Sequence, residues 1–189
     1  MLKRKIHLAL LVAIVLSAIV TTVGAQSKAG SPNATGAKGR LEGTWLVTAT
    51  FTSAQVCDNG KCESIDVPPP FQVLITFMAG TSEDDGTLVD TNEFQLTPNP
   101  VCTPDQGTWQ RTGSRTFIAT QRNFCFDATA GYLPAGPTKI RATFSVNDPN
   151  TLLTGRQYIE GFDTSNHLVF IGQVNLQGPR VRAEAPPAP

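Results

Sequence analysis

Arg156, Tyr158 and Glu160 alternate along the segment TLLTGRQYIEGFD, so they share one face of an extended chain. On an interior face, Arg156 and Glu160 could orient a polar head group while Tyr158 supplies apolar area and a hydroxyl. On an outer face they are ordinary solvated residues, and the cost of burying charge favours that reading. Gln121 and Asn123 form a second, weaker polar set on the face that carries Phe117 and Ala119. Nucleophilic chemistry has no support. Once the N-terminal segment is removed, the remaining histidine is His167, in a tight turn beside Asn166. The chain contains no G-x-S-x-G elbow, no phosphate loop and no H-E-x-x-H pattern. The acidic run Glu83-Asp84-Asp85 lacks the D-x-D alternation of a calcium loop and reads as a hairpin turn. No catalytic residue, metal or cofactor is therefore expected.

Cys57, Cys62, Cys102 and Cys125 are the other reactive side chains. A zinc site is the competing reading, but no histidine lies near these cysteines, whereas an even number of cysteines in an exported chain argues for disulfides. Export is expected from the N-terminus. Lys3, Arg4 and Lys5 precede an uncharged apolar run from about Leu8 to Val20, and Val23-Gly24-Ala25 offers small residues for cleavage. The run is shorter than the roughly 20 residues a spanning helix requires, so no stable membrane insertion is expected after cleavage. Removing residues 1–25 leaves 12 basic and 15 acidic side chains, a net charge of −3 without any Lys/Arg run, which argues against nucleic-acid binding. Residues 26–40 lack large apolar side chains and read as a flexible lead-in, and residues 184–189 form a Pro/Ala tail. Residues 41–183 are left as one domain with its own core. Asn33-Ala34-Thr35 matches a glycosylation sequon, which chance in a flexible segment explains.

The elements that must position these residues are strands. Period-two segments rich in Val, Ile, Thr and Phe are predicted at 44–52, 71–79, 86–94, 107–112, 115–127, 138–147, 151–162 and 167–176, with a short ninth at 179–183. Long connections at 53–70, 95–106 and 128–137 fall at one end of an up-and-down sheet, and short ones at the other. Asn59-Gly60 is a two-residue hairpin signal that places Cys57 opposite Cys62, close enough for a disulfide. A two-residue Gly113-Ser114 turn opposes residue 112 to 115 and, carried along the ladder, Cys102 to Cys125.

The Gly43-Thr44-Trp45 opening, eight antiparallel strands, a long first loop and a late arginine together resemble a lipocalin, or more broadly a calycin-type barrel. The resemblance covers about residues 41 to 182 and is one of architecture, that of an exported bacterial lipocalin-like group. G-x-W occurs again at Gly107-Thr108-Trp109, while the mid-chain T-D-Y type motif and the helix before the last strand are not evident. The resemblance implies that Trp45 closes one end of the barrel beneath Arg180 or Arg182, and cation–π attraction favours such stacking.

The expectation is an all-β, single antiparallel up-and-down eight-stranded barrel, exported, binding a small hydrophobic or amphipathic molecule. Its inward candidates are Phe71, Val73, Ile75, Phe77, Ile140, Phe144, Leu168 and Phe170, with Tyr132-Leu133 and the 53–70 hairpin framing the entrance. An alternative is a solid barrel acting as an extracytoplasmic interaction module through that hairpin, although no motif identifies a protein partner. A third reading, a barrel isomerase or cyclase resembling the allene oxide cyclase type, would need an interior carboxylate such as Glu160.

Overall fold

Apolar side chains at every second position build strands, and the computed structural model describes residues 38–96 and 100–184. The expected signal peptide and the Asn33 sequon lie outside the described residues. In chain order the strands are β1 (Gly43–Asp58), β2 (Lys61–Ser64), β3 (Phe71–Ala79), β4 (Asp85–Asn92), β5 (Val101–Cys102), β6 (Asp105–Arg111), β7 (Thr116–Asp127), β8 (Leu133–Val146), β9 (Leu152–Phe162) and β10 (Leu168–Pro179). A 3-10 turn, Glu93–Leu96, follows β4. Strands β1, β3, β4, β6, β7, β8, β9 and β10 pair antiparallel in that order, and β10 returns to β1. The result is a closed eight-stranded up-and-down barrel.

Strand β3 has the bounds its alternation predicts, while others run longer. β1 continues past residue 52 through a bulge between Phe51 and Ser53 and forms a hairpin with β2. β8 begins at Leu133 and not at 138. Its first residues pair only with β7, and an edge of this kind tolerates Pro134, which has no N–H to donate. No separate ninth barrel strand forms at 179–183. Instead β10 extends to Pro179, and Arg180 bridges to Trp45. Gly39 and Arg40, at the end of the expected lead-in, are hydrogen-bonded to Ser114 and Asn150.

Both disulfides pair as the register suggests, Cys57 with Cys62 and Cys102 with Cys125. The second reaches that pairing by a different route. Thr112 closes on Thr116, so the turn has three residues, and every β6–β7 partner is displaced by one from the expected ladder. At Pro104 the chain shifts back by one residue, which restores Cys102 opposite Cys125.

The plain end of the barrel is a packed floor. Trp45 is fully buried, donates Nε1–H to the Leu41 carbonyl at 2.8 Å, and lies 4.1 Å beneath the Arg180 guanidinium. Arg180 also donates to the carbonyls of Arg40, Glu42 and Asn150. It is the closing arginine, and Arg182 is exposed. Gly43, at φ +116°, takes a backbone conformation that favours glycine, and its missing side chain lets the Arg180 guanidinium lie close. The second G-x-W copy is built alike. Trp109 donates to the Met78 carbonyl at 3.0 Å and packs edge-on against Phe117, whose ring carries the Arg111 guanidinium at 4.7 Å. Phe77 and Phe144 meet edge to face at 5.2 Å and fill the space between.

Candidate functional site in the barrel interior

Toward the elaborated end, the inward faces change character. Phe51 lies 6.0 Å from Phe71 and 6.4 Å from Phe170, and this half-buried trio forms one apolar wall. Ile140 and Ile159 continue it across the β8–β9 ladder. Gly172 makes room for the trio, since a Cβ there would meet the Phe51 ring at 2.8 Å and the Phe170 ring at 3.0 Å.

The opposite wall is polar, and its leading members carry no sequence motif. Asp90 on β4 and Asp105 on β6 are buried and directly opposed in the ladder, which sets their carboxyls side by side. Gln95, from the 3-10 turn, donates Nε2–H to Asp105 Oδ2 at 3.3 Å. Reciprocal bonds hold that turn, Asn92 N–H to Gln95 Oε1 and Gln95 N–H to Asn92 Oδ1, both at 3.2 Å. Asn123, Gln121 and Gln157 extend the polar wall along β7 and β9, and all three are buried. Neither amide atom of Gln121 has a hydrogen-bond partner among the described residues, and Oδ1 of each aspartate is likewise unpartnered there. Buried polar atoms are nearly always satisfied, so these groups stand out as unmet hydrogen-bonding capacity on this wall.

Burial is the largest cause of the raised carboxyl affinities for protons. It lifts Asp90 well above the ordinary value, reinforced by the neighbouring Asp105 carboxyl, and it raises Asp105 as well. β3 carries no charged residue, Arg122 of β7 is exposed on the outer side, and the Glu93 carboxylate is exposed and accepts from the Gln72 backbone. None of these charges offsets the pair. Because the folded pKa values exceed those of the unfolded chain, this contribution to stability is full below about pH 3.8 and is lost as pH rises through the folded values. Asp90→Asn is therefore expected to raise the melting temperature above neutral pH and to flatten its decline between acid and neutral pH. Parallel melting-temperature profiles for variant and wild type would contradict this assignment.

The sequence candidates divide cleanly. Val73, Ile75, Phe77 and Phe144 belong to the packed core, while Phe71, Phe170 and Ile140 face the interior nearer the elaborated end. Arg156, Tyr158 and Glu160 project outward, since Leu153, Gln157 and Ile159 take the inward positions of β9, so the interior role considered for these three is corrected to a surface one. There Arg141 pairs with Glu160 at 2.8 Å and stacks on Tyr158 at 5.2 Å. Glu160 therefore cannot serve as an interior carboxylate. His167 is an exposed turn residue 3.1 Å from the Asp163 carboxylate, which also caps the Ser165 and His167 backbone N–H groups. No family model matches the chain, and no curated protein or solved structure matches it significantly.

Proposed function

We propose that the protein is an exported, lipocalin-like barrel that binds one small apolar or amphipathic molecule in the half of its interior nearest the elaborated end. The observation that carries this reading is the fully buried, unpartnered Gln121 amide on the wall facing Phe51, Phe71 and Phe170. Eight strands enclose enough room for side chains or for one small ligand, and here the buried core gives way to the half-buried Phe51, Phe71 and Ile159 packed against it toward the elaborated end. Two disulfides support an oxidising, extracytoplasmic setting.

Gln121→Leu tests the reading through a trade-off between stability and binding. Removing an unsatisfied buried amide is expected to stabilise the barrel by about 1–3 kcal/mol. The same change is expected to weaken uptake of N-phenyl-1-naphthylamine, followed by fluorescence, by about tenfold, the equivalent of one good polar contact. A variant that is more stable and binds the probe unchanged would remove Gln121 from the site.

A second reading, an interaction module acting through its surface, draws on exposed apolar side chains at the stapled hairpin, Val56, Ile65 and Val67. It requires no interior ligand, and that requirement separates the two.

A further inference from the structure

We propose that the Asp90–Asp105 pair is the polar anchor of the interior chamber and selects ligands whose head group donates hydrogen bonds, an amine or an alcohol, against those ending in a carboxylate. The inference rests on the reading of the interior as a ligand site.

The geometry assigns the donor and acceptor roles. Gln95 donates to Asp105 Oδ2, and the Oδ1 atom of each aspartate is a buried acceptor with no donor among the described residues. Gln121 stands in register with Gly107, the inward position next to Asp105, and its amide is also unpartnered. Glycine at 107 puts no side chain between Gln121 and the pair. A donor group on a ligand would therefore meet carboxyl acceptors and an amide oxygen, with the apolar body lying toward Phe51, Phe71 and Phe170. An anionic head group would meet lone pairs of like charge. Arg122, Lys139, Arg141 and Arg156 alternate with the inward residues of their strands, and Arg111, on the inward parity of β6, is held at the floor over Phe117 and against Asp84. Without a counter-charge, the desolvation of a ligand carboxylate has no compensation. A polar site of this kind discriminates mainly through what it leaves unpaired in the wrong ligand.

Two probes with one apolar body and opposite heads test the assignment. 1-Naphthylamine and 1-naphthoate are measured by equilibrium dialysis at about pH 7.5 against the full mature protein. The amine is expected to bind more tightly by at least about tenfold, the difference that one well-placed polar contact makes. In Asp90→Asn/Asp105→Asn, which preserves volume, the preference is expected to collapse to within about threefold, chiefly through weaker amine binding. If that variant does not fold by circular dichroism, Asp105→Asn alone serves, because Asp90 can then donate to the amide oxygen. Equal affinities in the wild-type protein, or a preference that survives both substitutions, would overturn the anchor while leaving the chamber intact. Failure of both probes to bind would overturn the chamber and the anchor together.

Discussion

Replacing Trp45 by alanine is expected to lower the stability of the barrel by about 3–5 kcal/mol, the range for truncating a large buried aromatic side chain. Three effects combine at this position. The cavity would open where Trp45 is wholly buried among Leu41, Val47, Ile75 and their neighbours. The Leu41 carbonyl would lose its indole donor, and the Arg180 guanidinium would lose the ring it covers at 4.1 Å. Arg180→Lys is a milder probe of the same floor, because an ammonium cannot reproduce a planar group that stacks on the indole while donating to the carbonyls of Arg40, Glu42 and Asn150. Urea unfolding monitored by circular dichroism measures both variants. A Trp45→Ala loss below about 1 kcal/mol, the size of an ordinary surface effect, would show that the floor does not organise the fold.

The second large effect belongs to the disulfides. They are separated by 23 residues for Cys102–Cys125 and by 5 for Cys57–Cys62. Loop-closure entropy then assigns roughly 3 kcal/mol to the longer loop and roughly 2 kcal/mol to the shorter. Serine pairs, Cys102→Ser/Cys125→Ser and Cys57→Ser/Cys62→Ser, isolate each bridge without leaving a free thiol. The larger loss is expected in the first, which ties β5 to β7 and so holds the connection carrying Gln95 against the polar wall. Loss of the second is expected to free the hairpin and leave the barrel closed, because β1 and β10 pair through Val56 independently of the staple. The reverse order of stabilities would contradict the loop argument.

Much of this architecture is legible in the sequence because its signals are local. Alternation in 71–79 sets β3, and Asn59-Gly60 sets the hairpin that brings Cys57 to Cys62. The Gly43-Thr44-Trp45 opening and a late arginine anticipate the floor, with Arg180 and not Arg182 supplying the guanidinium. What the sequence conceals is carried by pairing at a distance. Asp90 shares its parity with Leu88, and Asp105 shares its parity with Trp109, so each can be placed inward alone. Their apposition requires the β4–β6 register across the intervening turn and β5. The face of β9 is hidden for another reason. Two inward positions, Gly155 and Gly161, lack side chains where the Phe144 ring and the Phe170 Cβ lie 2.8 and 3.1 Å from where a Cβ would stand. The apolar periodicity of β9 therefore fades, and Arg156, Tyr158 and Glu160 stand out although they face water. The Gly113-Ser114 signal likewise understates a three-residue turn whose extra residue is cancelled at Pro104.

Native mass spectrometry of the protein purified from its native source, compared with the same sample after denaturation, tests the proposed interior chamber most directly. The expected native ion is heavier than the disulfide-bonded chain by the mass of one small molecule, and the excess disappears on unfolding. An identical bare mass before and after unfolding would contradict a ligand-holding interior and leave the protein to act through its surface.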